Sequence, residues 1–382
     1  MKLNKIIIVF LALSFTSLFA DITYEGARSV IGSYIEVLGA TAIIAGLIGI
    51  GELLGYLARY ISGLLSLKIK SSKTFWSLII LGYMINLFSV PLLAFANVWI
   101  FALSLVFLER IGKGLRTPLR DVLIAEVSES FGKGKGFGIH EFLDQIGAIT
   151  GPLIVAWILF STNINYFIAF IFLFIPALIS LLFLFFAYFN MPIIKSVELA
   201  TNTNNNQLPK KFWLYTIFVS FISLAFIHWG LVSFRLKHEG LLSDYMIALM
   251  YTVAMIADAI VAVPAGMFYD KYGLKTFYLL PFLVSFSTIM LILSPDITII
   301  LIASFIWGSI SAIYETNMRA AIADLVDMKS RGYAYGTFGL LIGISTMIGG
   351  IMYGYLYENV KDLIIPITLI LSFISLVFLK RK

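Results

Sequence analysis

The chain contains no cysteine and only three histidines, and charged residues fill 13% of its 382 positions, against roughly 25% in an ordinary globular domain. Without cysteine there is no disulfide framework, no thiolate metal site and no thiol nucleophile. Three histidines leave little material for an imidazole-bound metal. Sparse charge excludes a solvated protein surface and a continuous basic face for nucleic acid. What fills the sequence is apolar: 60% of residues are hydrophobic, mean hydropathy is +0.97, and the net charge is a modest +6. This composition is that of an integral membrane protein.

A helical span needs about 20 apolar residues, and twelve runs qualify once the short ones extend into their polar flanks. The first two are Ile6–Tyr24 and Glu36–Ala58; the fourth is a short run at Asn97–Leu108, the seventh Phe212–Phe234 and the last Leu363–Leu379. Continuous rather than alternating hydrophobicity selects helices over a transmembrane barrel. Lys2, Lys5 and the closing "SLFAD" of the first run imitate a secretory signal. A cut after Ala20 would put Leu18 where a small residue belongs, so the run is expected to stay as a span. With the N-terminus inside the cell, only Arg28, Arg235, Lys237 and Lys361 of the 27 basic residues fall outside. That asymmetry predicts an even number of spans with both termini cytoplasmic, and the expected location is the plasma membrane.

Residues 191–211 form the longest polar, Asn-rich connector, and they read as a cytoplasmic linker between an N-terminal bundle, 1–190, and a C-terminal bundle, 212–382. The halves resemble each other. "RDVLIAEVSESFGKGKGFGIHEFLDQIGAITGP" from Arg120 parallels "RAAIADLVDMKSRGYAYGTFGLLIGISTMIGG" from Arg319, which matches Gly138 with Gly336 and Gly151 with Gly349. The first span similarly places Asp21 opposite His228 and Arg28 opposite Arg235. A parallel repeat of six spans is the construction of one large class of secondary transporters, whose substrate site lies where the halves meet.

These features resemble the major facilitator superfamily over essentially the whole chain. "GMFYDKYGLK" fits its loop signature through Gly266, Asp270, Lys271, Gly273 and Lys275. The resemblance implies a cytoplasmic gate loop locked by charge-assisted hydrogen bonds. The N-half counterpart keeps Gly63 and Lys68 but has Leu67 and Lys70 where Asp and the second Gly belong. "GKGLRTP", followed by "LRD", fits the glycine-rich fourth span through Gly112, Gly114 and Pro118, with Val106 where the family usually has a membrane arginine. Gly138, Gly147, Gly151 and Pro152 fit the fifth-span antiporter signature, which implies export. As a helix-packing motif, small residues at four-residue spacing also let helices approach closely.

"ERIGKGLRTPLRD" superficially mimics a phosphate loop, but it lacks the required spacing and follows a membrane helix, so no nucleotide is expected. Glu109, Arg110, Arg116, Arg120, Asp121 and Arg319 read instead as a cytoplasmic charge cluster. His140 and Asp144 share a helix face one turn apart, either as a proton relay or as a satisfied polar pair. "HEFLD" echoes the zinc-protease pattern without a third ligand, and no metal is expected. Asp21, Glu25 and Arg28 form one stripe on the first span, while Glu52 and Asp258 sit too deep in apolar runs to snorkel. His228 and Arg235 are candidate partners for that stripe across a cavity.

The expectation is therefore an all-α, twelve-helix transporter of two pseudo-symmetric six-helix bundles, and not an enzyme. It is expected to work by alternating access, as a proton-coupled exporter (antiporter) of a small organic solute. Its partners would be that solute, protons or another coupling ion, and the lipid bilayer, with no cofactor. An importer or uniporter of sugars or organic ions is the nearest alternative; a non-transporting receptor or scaffold is the alternative of another class.

Overall fold

A computed structural model describes residues 3–66, 68–191, 193–194, 208–327 and 330–379. The side chains of 3, 4, 133, 134, 319 and 332 lie outside that description, and so does most of the expected 191–211 linker. Among the described residues every regular element is helical. The helices in the first half of the chain are α1 Leu3–Val37, α2 Ala42–Gly46, α3 Ile48–Ser66, α4 Ser72–Leu92, α5 Trp99–Ser128, α6 Lys133–Ser161, α7 Tyr166–Phe172 and α8 Phe174–Asn190. Then come α9 Lys210–Ala225, α10 Trp229–His238, α11 Asp244–Tyr272, α12 Leu280–Leu293, α13 Ile297–Glu315, α14 Asn317–Leu325, α15 Arg331–Asn359, α16 Ile364–Ile374 and α17 Leu376–Leu379.

Among the described residues ten helical stretches are long and apolar enough to cross a membrane, and one of them, 244–293, contains both α11 and α12. α5 is not among the ten because from Glu109 onward it carries Glu109, Arg110, Lys113, Arg116 and Arg120. The expected first span is too short by more than three turns, since α1 continues to Val37. Its polar residues do not end it, because Thr16, Thr23 and Ser33 donate back to the carbonyls of Ala12, Phe19 and Val30 at 2.8–2.9 Å. The fourth run is likewise too short, and α5 runs through Pro118. Proline removes the N–H that would reach Gly114, and beside that gap Ser62 Oγ donates to Leu115 O at 2.6 Å.

The seventh run is not one helix. It breaks at Phe226–His228 between α9 and α10. Side chains satisfy the exposed backbone: Thr288 Oγ1 donates to Ala225 O and accepts from Ile227 N–H, and Trp307 Nε1 donates to Ile227 O. His228 Nδ1 then accepts from Gly230 N–H at 3.0 Å, which starts α10 as an N-cap.

The chain divides into two compact units: Met1–Arg28 with Leu54–Asn202, and Ser29–Leu53 with Thr203–Lys382. In the first unit α6 lies on α1 at Gly147 and Gly151, where a Cβ would overlap the carbonyls of Leu18 and Ile22. In the second, the segment from the end of α1 into α3 packs on α10 and α15. Gly46 and Gly350 face each other so closely that a Cβ on either would overlap the other's carbonyl.

Candidate functional site

The first unit holds a buried ion cluster built from three helices. α1 supplies Asp21, Glu25 and Arg28 at intervals of four and three residues, α5 supplies Lys113, Arg116 and Arg120 at three and four, and α6 supplies His140 and Asp144 one turn apart. These spacings put each set on one stripe. Glu25 pairs with Arg28 at 2.8 Å and lies 3.7 Å from Lys113 Nζ, which sits 3.9 Å from the centre of the Tyr24 ring. Arg120 grips Asp121 Oδ1 through Nη2 at 2.8 Å, donates to Ser17 Oγ at 2.9 Å and lies 3.6 Å from Asp144 Oδ2. His140 stands between Ser14 Oγ, 3.2 Å from Nδ1, and Asp144 Oδ2, 3.5 Å from Nε2.

Arg116 is 1% exposed and differs from its neighbours, because no carboxylate lies within ion-pair distance of it among the described residues. Its Nε donates to Asn86 Oδ1 at 3.2 Å and its guanidinium stacks 4.1 Å from the Tyr83 ring centre. Asn86 in turn donates to Glu109 Oε1 at 2.8 Å, and Glu109 lies 3.3 Å from Arg110 Nε. Asp21, 7% exposed, packs its Cβ toward Gly147 and faces Lys113, Arg116, Glu25 and Arg120. It forms no ion pair or hydrogen bond among the described residues.

Of the expected charge cluster, Glu109, Arg110 and Arg116 are 7%, 5% and 1% exposed. They are tolerated because each is stacked, bridged or paired. The Arg319 side chain lies outside the described residues. His228 and Arg235 have partners within the second unit. His228 Nε2 lies 3.6 Å from Glu52 Oε1, and Arg235 bonds Glu239 at 2.8 Å and Leu291 O at 3.0 Å. Asp258 is buried on α11 at 5% exposure.

The gate-loop residues Gly266, Asp270 and Lys271 belong to the last turns of α11, which Gly273 ends at φ +56°. Among the described residues Asp270, Lys271 and Lys275 form no ion pair, and the nearby bond is Tyr269 OH to Asp324 Oδ2 at 2.9 Å. Of the packing motif, Gly147 and Gly151 make close approaches while Gly138 has open space around it.

Sequence reading missed Lys113, Asn86, Tyr24 and Tyr83. The first carried a readable signal, a cation three residues from Arg116 and seven from Arg120 on one helical stripe. Asn86 and the two rings carried none, because their role comes from the packing of α4 and, for Tyr24, α1 on α5.

The ensemble of long apolar helices around buried, mutually bridged charges defines a multi-pass membrane protein. The sequence profile of the Major Facilitator Superfamily matches residues 217–382. An uncharacterised protein of Mycobacterium tuberculosis is 36% identical over 370 residues, covering 95% of this chain and 90% of its own length. An uncharacterised MFS-type transporter of Methanocaldococcus jannaschii is 27% identical over 377 residues, covering 95% and 92%. Among solved structures, a variant of the nucleoside transporter NupG superposes with a TM-score of 0.76 at 14% identity, covering 97% of this chain and all of that one. A POT family transporter solved with a conjugated peptide gives 0.72 at 14% identity, covering 97% and 94%. The chain belongs to the major facilitator superfamily. Its family and fold are those of transporters that work by alternating access, not of an enzyme.

Proposed function

We propose that the protein is a proton-coupled exporter that exchanges a small organic solute for protons. It does so through twelve spans in two six-helix bundles joined by residues 191–211, with both termini on the cytoplasmic side of the plasma membrane. The observation that carries this reading is Asp21: a buried carboxylate without a bonded partner, facing three cations and Glu25. An acid fixed in a salt bridge cannot exchange protons cheaply, whereas one left without a partner can bind either a proton or a solute group. Asp144, 3.6 Å from Arg120 and 3.5 Å from His140, can take that proton on only when its contact with Arg120 opens. The glycine approaches at Gly147 and Gly151 support the fifth-span antiporter reading, since they bring α6 against α1 beside Asp21.

The cluster is charge-balanced: Arg28, Lys113, Arg116 and Arg120 stand against Asp21, Glu25, Asp121 and Asp144. In a medium of low dielectric an added net charge is penalised, so a positively charged solute group and a proton compete for Asp21. Competition at one site is what exchange requires. The solved relatives carry nucleosides and bind peptide conjugates, which makes solutes of that size the first candidates. In proteoliposomes holding the purified protein, a transported solute should drive protons the opposite way, and Asp21→Asn should abolish that movement while leaving the protein folded. Movement of solute and protons in the same direction would make it an importer. Solute movement without protons would make it a uniporter or couple it to another ion, and no movement of any solute would leave a non-transporting scaffold.

A further inference from the structure

Within the cluster just described, one member of each sign is left over. Glu25 serves Arg28 and Lys113, and Asp121 and Asp144 serve Arg120. After those pairings a carboxylate, Asp21, and a guanidinium, Arg116, remain without an ionic partner among the described residues. Both are more than nine-tenths buried. Asn86, the one hydrogen-bonding partner of Arg116, is a neutral amide whose own donors go to Glu109, and Arg116 Nη1 has no acceptor. The two groups are electrostatic neighbours beyond direct contact, with Tyr24 and Tyr83 beside the guanidinium at 5.9 and 4.1 Å.

Two buried charges of opposite sign that do not touch are costly, and direct collapse onto each other would be the ordinary remedy. They are held apart here by different helices: Asp21 abuts Gly147 of α6, whereas Arg116 lies against Gly82 and Asn86 of α4. A ligand with a single charge would satisfy one and leave the other. A ligand that carries both an ammonium and a carboxylate satisfies both and adds no net charge to a balanced cluster. We propose that Asp21 and Arg116 bind a zwitterionic solute of the α-amino acid or short peptide class, its ammonium at Asp21 and its carboxylate at Arg116, with Tyr24 and Tyr83 as walls. The proposal rests on the exchange reading above and names its substrate: the ammonium and the coupling proton occupy the same carboxylate in turn. The charged groups surrounding that exchange are Glu25, Lys113, Arg116, Arg120 and Asp144.

The test uses matched probes on the purified full chain in detergent and in proteoliposomes. Each standard α-amino acid and a set of dipeptides would be compared with the amine and the acid that keep the same carbon skeleton, for leucine isoamylamine and isocaproate. At least one zwitterion should raise the melting temperature and drive proton counterflow, and its amine and acid should do neither. Asp21→Asn and Arg116→Gln should each weaken that zwitterion about tenfold or more. Arg116→Lys, which keeps the charge, should recover part of the binding and control for folding. If an amine or an acid alone works as well, or if no zwitterion acts, the assignment is wrong. Proton exchange driven by an uncharged or singly charged solute would sink this proposal and leave the exporter standing, whereas silence with every solute would sink both.

Discussion

At the scale of single residues, the chemistry of the first unit depends on side chains that bridge charges without carrying any. Asn86 is fully buried and joins Glu109 to Arg116, so that one amide answers an acid on one side and a guanidinium on the other. Asn86→Leu would leave both buried charges short of a bond, a loss of about 2–4 kcal/mol by the usual penalty for stranded polar groups. Thermal or denaturant unfolding in detergent should register it as one of the largest effects of any uncharged position. A second residue, Glu239, lies between two membrane segments, where burial pushes its carboxyl up but hydrogen bonds from Tyr357 and Lys361, with Arg235 nearby, hold it below the ordinary value. A depressed folded-state pKa contributes stability that is complete above the unfolded value and lost as pH falls through the folded one. Glu239→Gln should therefore melt below the parent at neutral pH, and the two curves should converge in acid as pH falls from the ordinary carboxylate range through the folded-state value. A gap that persists in acid would assign the effect to packing.

At the scale of elements, sequence and structure agree where hydrophobicity alone decides and part where side-chain bonds do. The apolar runs were legible because nothing but a helix buries them in lipid. The ends of α1 and α5 were not, since Thr16, Thr23 and Ser33 stitch polar turns to their own backbone and Ser62 reaches across to the Pro118 gap. The break at Phe226–His228 contains no proline or glycine to announce it. It exists because Thr288 and Trp307, about 60 and 80 residues further on, supply the bonds a helix would have made. Thr288→Val keeps the shape and removes those bonds. It should destabilise by about 1–3 kcal/mol, whereas Ser309→Ala, whose hydroxyl bonds only its own helix at Phe305 O, should change little. The site divides the same way: Asp21, Glu25, Arg28, His140 and Asp144 were visible as polar residues in apolar runs. Arg116 was legible only as one of a cytoplasmic charge cluster, Lys113 was lost among the same charges, and Asn86, Tyr24 and Tyr83 looked like ordinary packing. The glycine motif can be tested at this scale too. Gly151→Leu must push α6 off Ile22 and Gly26, so exchange should fall at least tenfold, while Gly138→Ala, with open space around it, should leave transport and stability unchanged.

At the scale of the whole molecule, the chain's two units do not coincide with its two halves. Residues 29–53 follow the first stripe of charges without interruption, yet they pack with the second half of the chain. The contacts that hold them there are specific: Trp229 Nε1 to Ser29 O at 3.1 Å, Ile43 N–H to Glu358 Oε1 at 3.2 Å, and His238 Nδ1 to Glu36 Oε1 at 3.3 Å. If transport proceeds by rocking of bundles divided at residues 191–211, every one of these contacts must open and reform in each cycle, because they join segments on opposite sides of that division. Hydrogen bonds and glycine approaches suit such a seam, being individually modest and geometrically all-or-none. The sequence's lack of cysteine makes the consequence measurable without background labelling. Glu36→Cys together with His238→Cys places two thiols on side chains that now touch, the second at a site whose histidine is 57% exposed. A short bis-methanethiosulfonate should bridge them in the full-length protein, arrest solute and proton movement together, and release both on reduction. Each single-cysteine protein treated the same way should continue to transport. Bridged protein that still cycles would mean that the ends of α1 and α10 move as one body, and that residues 29–53 belong to the second unit throughout the transport cycle.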